Sequence, residues 1–384
     1  MQRYELPPLI ALTANSCWNI VNFRSGLIDA FEAAGYRVAV LAPDDAHAYK
    51  LVQRGISLES LRIDNKGQSP QRDLDLLWQY RSVLRRIKPA ALLSFTIKPN
   101  IYGSLAAASL GIPVINNVSG LGTAFIAGGW IERIVTILAR RAMRRSSTVF
   151  FQNADDLALF EARRIVSPGQ AQLINGSGVD LAHFTPVARS GNETGPVFLQ
   201  VGRLLRDKGV FEFVEAAKIV RQRLPDSRFQ LLGPLGADNR TAVPDDQVSA
   251  WVKAESIEYL GEKDDVRPDL AAADCVVLAS YREGLPRSLI EAAAMGRPAI
   301  ATDVPGCRSA VDNGVTGFLC ASRSGAALAE AMLRFAALDE AARHRMGEAA
   351  RAKAEREFAQ ALVATAYLDA LSRAGVVPGR KQAR

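Results

Sequence analysis

The sequence predicts an α/β protein built as two doubly wound parallel-sheet halves in series, on three observations. Short continuous apolar runs alternate with amphipathic helical stretches, as strands buried on both faces require. The rhythm stops at a polar, turn-rich segment and then restarts. The 384 residues exceed what one ordinary core uses and suit two domains. In order, PLIALTA (8–14) reads as a buried strand, residues 22–34 as a helix ended by Gly35, and YRVAVLAP as a second strand. PAALLSF, PVINNVS and STVFFQN continue the pattern, and GNETGP (191–196) reads as a linker. PVFLQVG, RFQLLG, IEYLG, DCVVLAS and PAIATD are the strands of the second half, and residues 338–374 are helical and charged. The expected domains are 1–188 and 196–360, both Rossmann-like, with a terminal helix over 361–384 that packs back on the first. Such sheets bind ligands beyond the carboxyl ends of their strands, so two facing edges predict one cleft.

The bulk composition excludes several classes. With 48% hydrophobic and 23% charged residues the chain is neither disordered nor fibrous. A formal net charge of +7 suits phosphate-bearing ligands or an anionic membrane, and equally a solvated basic surface. Cys17, Cys275, Cys307 and Cys320 form no CxxC pair, which argues against zinc and disulfides and for a reducing cytoplasm. No apolar run reaches the roughly 18 residues of a membrane span, and the N-terminus lacks a signal-peptide pattern, so any membrane association is expected to be peripheral. No nucleic-acid recognition motif is present. No GxGxxG follows the first strand, which speaks against a dehydrogenase.

The chemistry concentrates in the second half. PVFLQVG runs into GRLLRDKG, where Gly202, Arg203 and Lys208 follow a strand. Arg grips two oxygens with a planar fork and Lys adds a compact charge, a combination suited to a diphosphate; alone, the loop reads more readily as solvated surface. After DCVVLAS comes SYREGLPRSLIEAAAMGRP. Gly284 lets backbone approach a ligand, Pro286 suits the first turn of a helix, and that helix start faces an anion. Glu291 sits among Leu289, Ile290 and Ala292 to Ala294, so its carboxylate needs a partner, such as vicinal hydroxyls.

The pair Glu283 and Glu291 in EGLPRSLIE, with GRLLRDKG upstream, resembles the retaining glycosyltransferases of the GT-B type that carry an E-x7-E motif, the family 4 type. The resemblance extends through FTIKPNIYG, NNVSGLGTAF, VFFQNADD, GSGVDL, YLGEKDDV and TDVPGCRSAVDNGVTGFL. The branch it resembles assembles capsule, exopolysaccharide, O-antigen and N-glycan precursors on undecaprenyl diphosphate. The resemblance implies that Arg203 and Lys208 bind the donor diphosphate and stabilise the leaving group, with Glu283 on the transferred sugar. It implies that Glu291 holds the ribose, that Gly284, Leu285 and Pro286 line sugar and phosphate, and that Glu262 to Val266 places the base. It further implies front-face displacement with retention, an N-acetylhexosamine or hexose donated from a UDP-sugar, and neither bound metal nor other cofactor. Asp264-Asp265 is then a base-reading loop rather than a metal site. Many relatives carry a histidine in the loop corresponding to VSGLG; Ser119 stands there in this sequence.

In the first half, Ser16, Asn19, Asn22 and Arg24 follow the first strand, Lys98 and Asn100 lie in FTIKPN, and Ser119, Gly120 and Gly122 in VSGLG. These are acceptor or cleft candidates, with Asn153 a further one; a helix cap and surface polar residues account equally for the first group. GGWIERIVTILARRAMRRS reads as an amphipathic helix over 129–146, with Ile131, Ile134, Val135, Leu138 and Ala142 on one face and Arg133, Arg140, Arg144 and Arg145 opposite. That pattern fits an anionic membrane or a pyrophosphate-linked acceptor, and also a packed helix with a basic face. The expected protein works peripherally on the inner face of the plasma membrane on a lipid-linked saccharide, without nucleic acid. A transferase for a soluble acceptor and a sugar-nucleotide epimerase on the same fold are the alternatives.

Overall fold

The computed structural model describes residues 6–64, 69–120, 129–187, 195–236, 239 and 241–378, with the backbone alone for 129–131. The chain divides into two compact units, Met1–Ser177 with Gln360–Arg384, and Gly178–Ala359. The units therefore change at 177–178 and again at 359–360, where the sequence places its boundaries at 188–196 and 360–361. The first change falls earlier because Val179 and Phe184 are buried in the core of the second unit. Phe184 and Leu181 also supply carbonyls to Arg351 of that unit.

The first unit runs β1 (Leu9–Thr13), α1 (Cys17–Ala33), β2 (Arg37–Ala42), α2 (Ala48–Gln53), β3 (Ser57–Ser60), α3 (Pro70–Ile87), β4 (Ala91–Phe95), α4 (Ser104–Ala108), β5 (Val114–Val118), α5 (Gly129–Met143), β6 (Thr148–Phe151), α6 (Ala154–Ala162) and β7 (Ala171–Leu173). The strands form one parallel sheet in the order β3-β2-β1-β4-β5-β6-β7. Alternation along each strand sends Ile10, Leu12, Leu93 and Phe95 to one face and Ala11 and Leu92 to the other. Helix α1 starts at Cys17, earlier than the sequence reading, because the Ser16 hydroxyl accepts from Asn19 N at 3.2 Å and caps it.

The second unit runs β8 (Val197–Val201), α7 (Val210–Arg221), β9 (Arg228–Leu232), α8 (Asp245–Lys253), β10 (Glu258–Tyr259), α9 (Arg267–Ala272), β11 (Cys275–Leu278), α10 (Arg287–Ala294), β12 (Ala299–Thr302), α11 (Cys307–Ala310), β13 (Gly317–Cys320), α12 (Gly325–Ala336) and α13 (Glu340–Lys353). Its parallel sheet has the order β10-β9-β8-β11-β12-β13. Phe198, Phe229 and Val277 face α7 and α12, while Leu199, Val276 and Leu278 face α10 and α13, so helices cover both faces. The chain leaves β8 towards β9 and leaves β11 towards β12. The winding thus reverses between β8 and β11, the kind of point at which such sheets bind ligands.

The last helix, α14 (Gln360–Arg373), returns to the first unit. Val363, Ala364, Tyr367, Ala370 and Leu371 complete the core that β1, β2, β4 and α1 begin. Tyr367 is fully buried, lies 4.8 Å from the Phe150 ring, and its hydroxyl accepts from Asn117 Nδ2 at 2.8 Å.

Candidate active site

Three loops meet at the carboxyl edge of the second sheet, after β8, β11 and β12. The β8 loop carries Gly202, the exposed Arg203 and a short 3-10 turn, Arg206–Lys208, before α7. Gly209 ends that turn at φ +69, and a Cβ there would stand 2.1 Å from the Ala279 carbonyl oxygen. Only glycine lets the two loops approach so closely. Tyr281 N–H donates to Asp207 O at 2.9 Å and Gln200 Nε2 to Lys208 O at 2.9 Å. The backbone under Lys208 is therefore fixed from both strands flanking the reversal point.

Two of the residues expected to serve donor chemistry come together there. Lys208 Nζ lies 2.5 Å from Glu283 Oε1, with side-chain exposures of 26% and 11%. The same oxygen accepts from Ser280 Oγ at 2.6 Å. Thr302 Oγ1, at the end of β12, donates to the Ser280 carbonyl, and Glu283 N–H donates to Pro305 O at 3.3 Å. Gly306, at φ +81, sits where a Cβ would be 2.1 Å from Gly284 O, so this third loop packs directly on the Glu283–Gly284 peptide.

Helix α10 begins just beyond. Pro286 occupies its N-cap at φ −73 and ψ 122 rather than its first turn, since its carbonyl already receives Leu289 N–H at 3.2 Å. Leu285 is buried in the core. The positive end of the α10 dipole is thereby aimed at the carboxyl edge. One turn in, Glu291 is 8% exposed and pairs with Arg287 Nε at 2.5 Å. Burial raises the Glu291 carboxyl above its ordinary value, in spite of Arg287 and the nearby His183. On the neighbouring loop Glu262 is exposed, and Val266 caps α9 while packing on the core. Asp265 is held by Arg267, Nη2 to Oδ2 2.8 Å, and that contact lowers its carboxyl to about 2. Among the described residues, no group of three or more His, Cys, Asp or Glu could hold a metal ion.

The first unit distributes its candidates differently. Arg24 is 3% exposed and lies 4.1 Å over the Phe95 ring, so it is a core residue of α1 and not an exposed cleft residue. Asn100 is buried, donating to Asn117 O at 2.8 Å and accepting from Asn116 Nδ2 at 3.0 Å through its side chain; it joins an internal network with Ser104 and Ser146. Lys98 pairs with Asp73 at 2.6 Å. Ser16 and Asn153 serve as helix caps, and Asn22 donates to Trp18 O at 2.9 Å. Buried carboxamides and a guanidinium need internal partners, and the strand ends provide them. Asn19 is half-buried on the first turn of α1, and Ser119 is exposed beside Gly120 after β5. Gly122 lies outside the described residues. On α5 the packed face is Val135, Leu138, Ala139, Ala142 and Met143, whereas Ile134 and Ile137 are exposed, so Ile134 falls off the face expected of it. Arg133 and Arg144 are exposed, and Arg140 donates to the carbonyls of Arg163 and Arg164 beyond α6. Among the described residues no helix is long and apolar enough to cross a membrane.

Ser280, Thr302, Gly306 and Gln200 also shape this edge and are only faintly marked in the sequence. A serine three places before the loop glutamate, a glycine after proline between strand and helix, and a glutamine inside the apolar strand FLQV were the available signals.

Comparison with known proteins gives the family of the chain. Residues 186–353 match the family described as Glycosyl transferases group 1, and residues 21–176 match the Glycosyl transferase 4-like domain. The chain belongs to the GT-B glycosyltransferases of the family 4 type. This glycosyltransferase is 26% identical over 328 residues, 81% of its length and 85% of the relative's, to an N,N'-diacetylbacillosaminyl-diphospho-undecaprenol alpha-1,3-N-acetylgalactosaminyltransferase of Campylobacter jejuni. It is 31% identical over 302 residues, 74% of each chain, to a UDP-N-acetylglucosamine--N-acetylmuramyl-(pentapeptide) pyrophosphoryl-undecaprenol N-acetylglucosamine transferase of Verminephrobacter eiseniae. Its fold matches sucrose-phosphate synthase from Thermosynechococcus elongatus with a TM-score of 0.78 at 20% identity, over 94% of this chain and 97% of that one.

Proposed function

We propose that this glycosyltransferase moves an N-acetylhexosamine or hexose from a UDP-sugar, with retention of anomeric configuration, to a saccharide carried on undecaprenyl diphosphate. The observation that carries the reading is the junction of Lys208 with Glu283 at the winding reversal of the second sheet, beside the α10 N-terminus. In this reading Arg203 and Lys208 face the donor diphosphate and stabilise the charge that develops on it as the sugar leaves. Glu283 contacts the transferred sugar, and Gly284, Leu285 and Pro286 line its path. Glu291 accepts hydrogen bonds from the ribose, which requires Arg287 to share its carboxylate or give it up. Glu262 to Val266 flank the base. The E-x7-E pair is thus one donor grip mounted on a single loop and helix, and no metal is needed because fixed cations and the helix dipole supply the positive charge.

The acceptor assignment is supported by two relatives whose names carry an undecaprenyl diphosphate group, and the donor assignment by the UDP-sugar named for one of them. The basic, partly apolar exposed side of α5 suits peripheral attachment to the cytoplasmic face of an anionic membrane. Incubating the full chain with a panel of UDP-sugars and a synthetic short-chain polyprenyl-diphosphate N-acetylglucosamine, with mass detection, tests the reading. The expected result is one glycosyl unit added to the lipid-linked sugar with the α-linkage retained from the donor. Transfer to free sugars alone would favour the soluble-acceptor reading, and a changed sugar nucleotide without acceptor would favour epimerisation.

A further inference from the structure

We propose that α3 and α5 together make one docking face of the first unit for an anionic bilayer surface, with Trp78 and Leu74 of α3 entering the headgroup layer; this deepens the peripheral attachment read from α5 and rests on it. Helix α3 packs through Leu76, Tyr80 and Leu84, all buried. At 3.6 residues per turn, Leu74, Trp78, Arg81 and Arg85 lie on its other side, within about 40° of one line. Trp78 is 62% exposed and Leu74, one turn before it, 55%. Arg85 is exposed, as is Lys88 at the helix end, and Arg81 is half-buried with its guanidinium on the Ser109 hydroxyl. The acids of α3 do not cancel this stripe. Asp73 is held by Lys98 and Tyr102, and Asp75 lies about a quarter turn away, accepting from Gln79.

Helix α5 covers the same face of the sheet. The uncharged α4, SLAAA, touches α3 on one side and α5 on the other. Helices that cross between parallel strands start at the carboxyl edge, so α3 and α5 run in the same direction. Each puts apolar residues first and cations after. Ile134 and Ile137, 47% and 48% exposed and with Arg133 exposed among them, precede Arg140 and Arg144. Leu74 and Trp78 likewise precede Arg85 and Lys88. The two helices therefore line up an apolar band and, further along, a band of cations of one sign. A tryptophan beside aliphatic chains settles where headgroups meet acyl chains, and a row of cations matches a plane of lipid phosphates.

The test uses the full chain with vesicles of phosphatidylcholine alone or mixed with phosphatidylglycerol. The parent should sediment with the mixed vesicles only, and less so as salt is raised. Lipids brominated along the acyl chain should quench its tryptophan fluorescence, and Trp78→Phe should still bind while losing most of that quenching. Trp78→Ala with Leu74→Ser should weaken binding about tenfold or more, as expected when large apolar side chains no longer leave water, with turnover on the short-chain acceptor in solution unchanged. Arg85→Glu with Lys88→Glu should remove the preference for phosphatidylglycerol. Parent-like binding by the Trp78 and Leu74 variant, with no quenching assigned to Trp78, would overturn the proposal and leave attachment to α5. No vesicle binding by the parent would overturn the attachment reading with it, so the two failures are told apart.

Discussion

At the scale of single residues, the carboxyl edge of the second sheet holds charges half withdrawn from water. Lys208 has its backbone anchored from Gln200 and Tyr281 while its side chain stays partly exposed. Replacing it by alanine should cost roughly 10²–10³ in kcat, the usual loss when one preorganised donor to a developing charge is removed, with donor KM little changed. Steady-state kinetics at saturating acceptor checks this, and an undiminished kcat would take Lys208 out of the reaction. Glu291 poses a stability question with a definite sign. Its folded-state pKa lies above the ordinary 4.5 because burial outweighs Arg287. The native chain then binds more protons than the unfolded chain between those two values, and stability falls as pH rises through that interval. Glu291→Gln escapes this loss. The variant should match the parent below about pH 4.5 and be increasingly more stable above it, as urea unfolding at several pH values would show. A variant weaker than the parent at neutral pH would mean that the pair with Arg287 outweighs burial. The E-x7-E pair, GRLLRDKG and the buried setting of Glu291 were legible because each lies within one short stretch. The Lys208–Glu283 pair was not, since it joins residues 75 apart and exists only once β8 and β11 are neighbours. Arg24 and Asn100 misled for a related reason. Polar residues after a strand look solvent-facing until the partners that bury them, here Phe95, Asn116 and Asn117, are brought alongside.

At the scale of elements, what matters is how closely loops from different strands approach. The β8 and β11 loops touch at Gly209 and Ala279. Gly209→Ala must place a side chain in a left-handed conformation and push the Ala279 peptide away, so it is expected to cost about 2 kcal/mol or more and to depress turnover beyond the loss of stability. Thermal unfolding beside kinetics on the same sample decides this; a variant as stable and active as the parent would show that the contact can relax freely. The central strands were readable as continuous apolar runs because both faces are covered. The edge strands β3 and β7 are not legible in this way, since SLES and AQL are half exposed and carry no such run. For α5, helical periodicity located the element but set its packed face slightly wrong around Ile134, because the stripe that docks depends on the neighbours β6 and α6.

At the scale of the whole molecule, each unit owns its core, and the first unit needs α14 to finish its own. Tyr367→Ala removes a large buried ring and leaves the Asn117 amide without its acceptor, which should destabilise the first unit by about 4 kcal/mol or more. Calorimetry is expected to show one transition moved to lower temperature while the transition of the second unit stays; a common shift of both would show that the units unfold as one. The two-domain plan was visible from the restart of the strand rhythm, whereas the exact crossings were not, because the residues from Gly178 to Phe184 carry no strand pattern and declare their unit only by what they bury against.

Placing the final helix in the first unit also orders events in time. As the chain leaves the ribosome, the opening half emerges with all seven strands of its sheet but with one face of its core unfinished, lacking the aromatic plug that Tyr367 supplies beside Phe95 and Phe150. The middle of the chain, Gly178–Ala359, holds everything its own core requires and is the first part able to reach its finished form. Residues of the first unit made before Gly178 are thus secured only after the second unit has been made, and a nascent chain stalled before Gln360 would display an unsealed apolar seam along α1.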